Sequence, residues 1–386
     1  MKKLILIIML FTFSFSIINV NADNEIIPKA KAGILIEIST GKIIYDKNIH
    51  EQMPVASMTK MMAQILILEE IEKGNLKWDE KIKVSANAAN YGGSQIYLMP
   101  GEVMSVKDLF KGISIVSGND ATVALAEKIG GSENNFVIKM NKKAQALGLQ
   151  NTVFKNCTGL DEEGHLSTAY DMSIIAKELL KHDDILKFSS IYEDYLRTNT
   201  PNKFWLVNTN KLIRFYEGAD GLKTGHTDNA MYCMAVTAKK NGMRLLAVTL
   251  GEPTAAIRND ETTKLLDYGF NLYKTRTLYK KNDIIKKIKI DKSDPLIIKI
   301  SPLSDVTILF KNEDSDKKYE TEINLDNINL PLKKNDKVGE IIVKDNDYII
   351  SKIDLIVKED IKKANIFNLY FRILGDIITG SINLTK

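Results

Sequence analysis

The sequence predicts an α+β protein in which a helical insertion lies beside an antiparallel sheet, followed by a small all-β domain. Runs rich in β-branched residues near positions 32–45 and 231–250 enclose a long region of helical character, from residue 57 to about residue 187. Beyond about residue 280, short β-branched runs alternate with turns rich in Lys and Asp. The chain has 386 residues, 44% of them apolar, which is enough material for two domains with real cores.

The first two strands form a predicted hairpin. Residues 32–38 and 42–45 are apolar and β-branched, and Ser39-Thr40-Gly41 between them favours a turn. In the helical region that follows, apolar residues recur at helical spacing between loops rich in Gly, Asn and Asp. Ser105 stands three residues before Asp108 there, which predicts the capped start of a helix.

Strand signals return after the helical region. Residues 231–238 and 244–250 predict two strands, and Asn241-Gly242 between them indicates a tight hairpin. Spaced apolar residues at 265–273 suit one more amphipathic helix. We expect the strands from both ends of this domain to share one sheet. The strands expected in the all-β domain are residues 284–290, 296–300, 306–310, 340–343 and 348–357.

The N-terminus has the pattern of a signal peptide over residues 1–22. Two lysines precede an apolar stretch at residues 4–18, and Val20-Asn21-Ala22 supplies the small residues of a cleavage site. The apolar stretch is short for a membrane span, so a retained N-terminal anchor is the weaker alternative. In either case we expect the bulk of the protein to be exported.

The C-terminal residues 361–386 predict an amphipathic helix. Asn365, Asn368, Arg372 and Asp376 recur every three or four residues and form one polar stripe. The opposite face is apolar and contains Ile366, Tyr370, Ile373, Leu374, Ile377 and Ile378. The tail has no uncharged run of about 18 residues, so a transmembrane span is disfavoured. We expect the helix to lie in the membrane interface, with docking on the protein's own surface as the alternative.

Composition excludes several classes of function. The formal net charge of +4 is too small to indicate a nucleic-acid partner. The lysines of the β-domain are interpreted as a solvated face, with binding to an acidic cell-wall polymer as the less favoured alternative. The four histidines show no metal-binding spacing, and we expect neither a metal nor another cofactor. Cys157 and Cys233 could pair or stay free.

Three short motifs carry the chemistry. They are Ser57-Met58-Thr59-Lys60, Ser117-Gly118-Asn119 and Lys223-Thr224-Gly225. The first two patterns also occur elsewhere in the chain, but only this set has the right order, and only Ser57 directly precedes a long apolar run. The ordered set is the signature shared by penicillin-binding proteins and class A β-lactamases.

Ser57 and Lys60 have the spacing of a nucleophile and its base. Three residues apart on a helix, their side chains project from the same face. A serine hydroxyl is a poor nucleophile until a base removes its proton. A lysine can be that base when burial or nearby positive charge lowers its pKa toward neutrality, and the apolar run at residues 61–68 predicts such burial.

The other two motifs supply groups that suit substrate binding and proton transfer. Ser117 can relay a proton between Lys60 and the leaving group, and Asn119 can hold a peptide carbonyl or orient Lys60. Lys223 and Thr224 present a cation and a hydroxyl, which suit a substrate carboxylate. Gly225 would let a substrate backbone run close alongside.

Over about residues 30–275 the sequence resembles the low-molecular-mass penicillin-binding proteins that are serine-type D-Ala-D-Ala carboxypeptidases. The segments that carry the resemblance are 54–60, 116–121, 156–160, 164–169 and 220–227, and they include all three motifs. The resemblance implies a β-lactamase/transpeptidase-like domain at residues 23–277. It is followed by the all-β domain at residues 280–358 and the amphipathic membrane-association helix at residues 361–386.

The resemblance also implies a reaction. Ser57 would attack the D-Ala-D-Ala bond of cell-wall stem peptides with Lys60 as base, release the terminal D-Ala, and be freed by hydrolysis of the acyl-enzyme. The backbone N–H groups of Ser57 and His226 would form the oxyanion hole. Lys223 and Thr224 would hold the terminal carboxylate, with Arg258 close to it.

The resemblance places this reaction, and the protein's partners, at the cell surface. Besides the stem peptides, the expected partners are β-lactams as covalent inhibitors and the cytoplasmic membrane, on whose outer face the protein would lie. No nucleic-acid partner is expected.

Three other functions were weighed. A class A β-lactamase needs a Glu-x-x-x-Asn element after the Ser-x-Asn motif, and residues 119–173 contain none. A catalytically silent cell-wall binding protein is disfavoured by the complete motifs. Transpeptidation shares the same acyl-enzyme and differs only in the acceptor, so it stays open.

Overall fold

The structure is a computed structural model, and it describes residues 25–379. The predicted signal peptide lies outside the described residues. The N-terminal part is an α+β domain in which a five-stranded antiparallel sheet has the order β2-β1-β9-β8-β7. The strands are β1 (Ala32–Glu37), β2 (Ile43–Lys47), β3 (Lys81–Lys83), β4 (Val103–Ser105), β5 (Glu193–Leu196), β6 (Phe204–Val207), β7 (Ala219–Thr227), β8 (Met231–Lys240) and β9 (Met243–Glu252).

Most of the helices lie between the first and last strands of this sheet, as predicted. They are α1 (Lys60–Glu72), α2 (Ala86–Ala89), α3 (Val106–Val116), α4 (Asn119–Gly130), α5 (Glu133–Ala146), α6 (Ala169–Leu179), α7 (Ile185–Ser189), α8 (Leu212–Phe215) and α9 (Ala255–Leu272). The predicted cap of α3 is present, because the Ser105 hydroxyl accepts a hydrogen bond from the Asp108 N–H at 3.1 Å. Two short antiparallel strand pairs, β3–β4 and β5–β6, lie among these helices.

The sheet is covered on both faces. Alternate residues of its central strands point to opposite sides. Ile34 and Leu246 join a core shared with the helical insertion, whereas Leu35 and Leu245 pack with α9. Because both sides are covered, β1 is buried along its whole length. Each fully buried Leu or Ile stabilises the fold by about 1.5–3 kcal/mol relative to an exposed side chain.

The C-terminal part is built from strands, as predicted, around a separate apolar core. Its five-stranded sheet has the order β11-β13-β17-β16-β15, and β10 pairs with β14 while β12 pairs with β18. The strands are β10 (Tyr273–Tyr279), β11 (Lys286–Lys289), β12 (Ser293–Asp294), β13 (Ile297–Pro302), β14 (Val306–Lys311), β15 (Glu320–Leu325), β16 (Lys337–Asp345), β17 (Tyr348–Val357) and β18 (Lys362–Lys363). The expected domain boundary at residue 277 therefore lies inside β10.

The tail contains the expected amphipathic helix, α10 (Ile366–Ile378), but it begins later than residue 361. Ile361 is buried in the core of the β-domain, and β18 pairs with β12, so these residues belong to the β-domain. Within residues 25–379, none of the helices combines the length and hydropathy that a membrane crossing requires.

Candidate active site

Ser57 and Lys60 lie together at the start of α1, one turn apart. Ser57 belongs to a short 3₁₀ turn, Ala56–Thr59, which we call the Ser57 turn, and Lys60 is the first residue of α1. The Lys60 Nζ donates a hydrogen bond to Ser57 Oγ at 2.8 Å and another to the Thr158 carbonyl oxygen at 2.7 Å. The nucleophile and base predicted from their spacing are therefore in direct contact.

Burial gives Lys60 the electrostatic character of a base. Its side chain is 0% exposed, and this desolvation lowers the pKa of the amine to about 7. Cys157 and Asp120 oppose the shift, but they are the smaller influences. A lysine with a pKa near 7 is partly neutral at physiological pH, so it can accept the Ser57 proton.

The second motif lies at the junction of α3 and α4. Ser117 ends α3 in the left-handed region with φ 64°, and Asn119 is the first residue of α4. The Asn119 Nδ2 donates to the Gly92 carbonyl at 2.6 Å. Within the described part of the chain, Ser117 Oγ and Asn119 Oδ1 are buried and have no hydrogen-bond partner. Both atoms therefore have hydrogen-bonding capacity that the protein leaves unused, and within residues 25–379 Asn119 forms no hydrogen bond with Lys60.

The third motif lies on β7, which is an edge strand of the sheet. Lys223 is 2% exposed, and its pKa is lowered well below the ordinary value, first by burial and then by the charges of Lys60 and Arg258. Its Nζ donates to the Thr224 carbonyl at 2.8 Å, and the Thr224 hydroxyl donates to Thr209 Oγ1 at 2.7 Å. Within residues 25–379 the Lys223 amine has no carboxylate partner, so an incoming anion would raise its pKa and favour the charged form.

Gly225 and Arg258 have structural surroundings that the sequence did not reveal. A Cβ on Gly225 would lie 2.7 Å from the Val55 carbonyl oxygen, so the glycine lets β7 pack against the Ser57 turn. We expected it to make room for a substrate; the neighbour here is the protein's own chain. Arg258 is 5% exposed on α9, and its charge acts on Lys223, so it is not a surface cation. The His226 side chain is exposed and stacks on Tyr232, with ring centroids 4.1 Å apart.

The sequence analysis named residues 156–160 only as part of the resemblance and gave them no role in the site; we call them the 156–160 turn. The Asn156 Oδ1 accepts hydrogen bonds from the N–H groups of Thr158 and Gly159, at 3.2 and 2.7 Å. Thr158 contacts Lys60 through its backbone carbonyl, so its side chain gives no signal in the sequence. Asn156 followed by Gly159 is the detectable signal, since Asn favours such side-chain-capped turns and Gly favours positive φ.

His165 lies in another segment of the resemblance, and the sequence did not reveal its contact with the Ser57 turn. Its Nε2 lies 2.8 Å from Thr59 Oγ1, within the Ser57 turn, and its Nδ1 accepts a hydrogen bond from the Lys155 N–H at 3.3 Å. Because Nδ1 accepts, Nε2 carries the proton and donates to Thr59. Burial lowers the pKa of His165 to about 4, so the ring is neutral and this arrangement persists at physiological pH.

A serine nucleophile in contact with a buried lysine, beside an edge strand that carries a second buried lysine, defines a serine acyl-transfer enzyme. Comparison with known proteins identifies the family. A model of the D-alanyl-D-alanine carboxypeptidase family matches residues 19–254, and a model of the penicillin-binding protein 5 C-terminal domain matches residues 273–363. The chain belongs to the D-alanyl-D-alanine carboxypeptidase family and is a serine hydrolase.

Individual relatives agree with this assignment. The chain is 47% identical over 380 residues to D-alanyl-D-alanine carboxypeptidase DacF of Bacillus subtilis (strain 168), covering 97% of this chain and 98% of the relative. It is 33% identical over 348 residues to D-alanyl-D-alanine carboxypeptidase DacC of Escherichia coli (strain K12), covering 88% and 86%. The solved structure of penicillin-binding protein 5 from Haemophilus influenzae covers 87% of this chain and 98% of its own, with a TM-score of 0.74 and 29% identity. The predicted family and fold class are confirmed.

Proposed function

We propose that this protein removes the terminal D-Ala from peptidoglycan stem peptides that end in D-Ala-D-Ala, through an acyl-enzyme at Ser57. The observation that carries the proposal is the 2.8 Å contact between Ser57 Oγ and a fully buried Lys60 whose pKa is near 7. That contact provides a nucleophile and its base in one place. Lys223 on β7 adds a reason for the enzyme to act at a chain end, because the free carboxylate there would pair with the protonated Lys223 amine.

Acylation begins with Lys60 taking the Ser57 proton while Ser57 Oγ attacks the carbonyl carbon between the two D-Ala residues. The backbone N–H groups of Ser57 and His226 stabilise the resulting oxyanion. The C–N bond then breaks, and the proton held by Lys60 passes through the Ser117 hydroxyl to the leaving amine. Ser117 Oγ is suited to this relay because it is buried and has no other partner within residues 25–379.

Substrate recognition in this proposal uses the remaining motif residues. Lys223 and Thr224 bind the terminal carboxylate, and the buried Arg258 adds a second positive charge to the same region. Asn119 binds a peptide group of the substrate. Deacylation is the reverse sequence with water as nucleophile: Lys60 accepts the water proton, the ester C–O bond breaks, and Ser57 Oγ regains a proton.

β-Lactams inhibit by acylating the same serine and then leaving slowly. The opened ring stays tethered to the acyl group, whereas D-Ala diffuses away, so the hydrolytic water is obstructed. The sequence also lacks the Glu-x-x-x-Asn element that class A β-lactamases need for fast deacylation. Glu162 does not replace it, because its Oε2 accepts a hydrogen bond from Asn156 Nδ2 at 3.1 Å and its side chain is exposed.

The test is the fate of Ser57 after exposure to penicillin. Ser57→Ala should abolish both the covalent adduct and D-Ala release, as measured by mass spectrometry of the intact protein and of a pentapeptide substrate. Ser39→Ala is the matched control, because Ser39 also stands three residues before a lysine but its hydroxyl is bonded to Glu37 in the β1–β2 turn. A Ser57→Ala protein that still labels at the wild-type rate would rule out the mechanism. Rapid turnover of penicillin with no adduct would instead indicate a lactamase.

We also infer that the exported protein lies on the outer face of the cytoplasmic membrane, attached through α10. The polar stripe of α10 faces the β-domain: Arg372 Nη1 donates to the Asp291 and Ser293 carbonyls at 2.8 and 2.7 Å. The opposite face is exposed, with Phe371 at 67% and Ile378 at 80%. An apolar helical face held away from the protein is suited to a membrane interface.

A further inference from the structure

Three hydrogen-bond donors converge on one carboxylate oxygen behind the catalytic lysine. Glu133 is the first residue of α5, and its Oε1 accepts from the Tyr91 hydroxyl at 3.0 Å. The same oxygen accepts from the Cys157 N–H at 3.2 Å and from the Cys157 thiol at 3.3 Å. Burial, followed by the charge of Glu133, raises the pKa of Cys157 well above its ordinary value, so the thiol stays protonated and can donate.

The residue after Cys157 is Thr158, the residue whose carbonyl oxygen accepts from Lys60. The 156–160 turn is tied internally by the Asn156 side chain, but Glu133 ties it to a separate helix. Tyr91 reinforces this anchor, because its hydroxyl donates to the same Glu133 oxygen that holds the Cys157 backbone. Cys157 and Thr158 are both buried, so a displaced Thr158 carbonyl would have little water available to replace its contact with Lys60.

We propose that Glu133, supported by Tyr91, is a positioning residue for the general base. It holds the Cys157 backbone so that the Thr158 carbonyl aims the Lys60 amine at Ser57 Oγ. The inference rests on the proposed role of Lys60 and adds to it a residue outside the three motifs. Small errors in the placement of a base are costly, since a misplacement of about 1 Å can reduce a rate by about 10²-fold.

The experiment separates chemistry from binding with a fluorescent penicillin in stopped flow, which yields an acylation rate constant and a dissociation constant for the initial complex. Glu133→Ala should lower the acylation rate constant by about 10- to 100-fold. The dissociation constant should stay unchanged, because Lys223 and Thr224 are untouched. Glu133→Gln keeps an acceptor oxygen at the same place and should recover the rate to within about threefold.

Glu127→Ala is the matched control, because Glu127 also accepts a side-chain hydrogen bond, from Asn87 at 2.8 Å, but among the described residues it forms no hydrogen bond with the 156–160 turn. It should acylate at the wild-type rate. A Glu133→Ala protein with wild-type acylation would overturn the proposal, as would Glu133→Gln being as slow as Glu133→Ala, since charge rather than position would then matter.

If Glu133→Ala fails to fold, Tyr91→Phe provides the test. Removing that hydroxyl should lower the acylation rate constant by about 3- to 10-fold, in line with the loss of one hydrogen bond, and leave the dissociation constant unchanged. A wild-type rate for Tyr91→Phe would then overturn the proposal. In both cases the wild-type protein must label at Ser57, so failure of the inference is distinct from failure of the proposed function.

Discussion

The amine of Lys60 is buried and is held between two oxygen atoms, Ser57 Oγ and the Thr158 carbonyl. Its surroundings favour the neutral form, because burial penalises the ammonium more than the nearby Cys157 and Asp120 stabilise it. A shift from the ordinary value of 10.5 to about 7 places the change of protonation within the physiological range. The reactivity of Ser57 should therefore follow the protonation of Lys60 with pH, since the Ser57 hydroxyl does not itself ionise in this range.

We predict that acylation accelerates with rising pH through about 7. Below that value Lys60 is an ammonium and cannot accept the Ser57 proton; above it the neutral amine can. The acylation rate constant for a fluorescent penicillin, measured from pH 5 to pH 9, should have a rising limb with its midpoint near 7. Lys60→Ala should lose about 10²–10⁴-fold at the plateau.

Lys73→Ala provides the control for this profile. Lys73 follows the same helix at its C-terminal end, and its side chain is exposed and paired with Glu70. Its removal should leave both the plateau and the midpoint unchanged. A wild-type profile that is flat between pH 6 and pH 8 would show that Lys60 is not the base.

Residue types and spacing were enough to predict the chemical groups of the site. Ser57 and Lys60 are neighbours on one helical turn, so their contact follows from local geometry. The contribution of Thr158 could not be predicted in the same way. It acts through its backbone carbonyl and lies 98 residues from Lys60 in the sequence. Neither the residue type nor the local sequence pattern of Thr158 indicates that contact.

At the scale of elements, the site depends on the close approach of two turns. Gly159 in the 156–160 turn has φ +84°, and a Cβ there would lie 1.9 Å from the Ala56 carbonyl oxygen of the Ser57 turn. Only glycine permits both the backbone conformation and the contact. The approach keeps the Thr158 carbonyl within reach of Lys60.

We predict that Gly159→Ala destabilises the protein by more than about 3 kcal/mol and slows acylation. An alanine in the left-handed region costs about 1–2 kcal/mol, and the clash with a backbone atom adds to this. Gly148→Ala is the matched control, because Gly148 has φ +74° but, apart from its chain neighbours, no residue in the described part of the chain has an atom within 4 Å of an added Cβ. It should lose only about 1–2 kcal/mol and keep the wild-type acylation rate. Equal losses in urea unfolding would contradict the importance of the contact.

The elements themselves were predicted with uneven success, for physical reasons. The β1–β2 and β8–β9 hairpins were found because their signals are local, namely β-branched runs around short turns. Strand β7 was not predicted from the sequence. Residues 219–227 contain two glycines, two separate threonines, and Asp, Lys and His, so they lack the alternating apolar pattern that indicates a strand. Its pairing with β8 and its contact with the Ser57 turn, rather than local propensity, make it a strand.

At the scale of the whole molecule, the β-domain separates the catalytic domain from α10. The helix is fastened to the β-domain through its polar stripe, since Asn368 Nδ2 donates to Asp294 Oδ2 at 3.3 Å beside the Arg372 contacts. Because these polar contacts hold the polar stripe against the β-domain, the apolar face of α10 points away from it. Sequence periodicity predicted the two faces of the helix; only the structure shows which of them contacts the protein.

The last prediction concerns this outward face. Ile373→Asp combined with Ile377→Asp should release the signal-processed protein from lipid vesicles in a sedimentation assay, because both side chains are more than half exposed and would carry charge into the membrane interface. D-Ala release should be retained.

Truncation after Ala364 should have the same effect while keeping β18 and the buried Ile361 in place. Tyr348→Asp combined with Ile349→Asp is the control, because these side chains are at least as exposed but lie on β17. If the α10 variant sediments with vesicles like the wild type, or if the β17 control detaches equally well, attachment does not depend on α10.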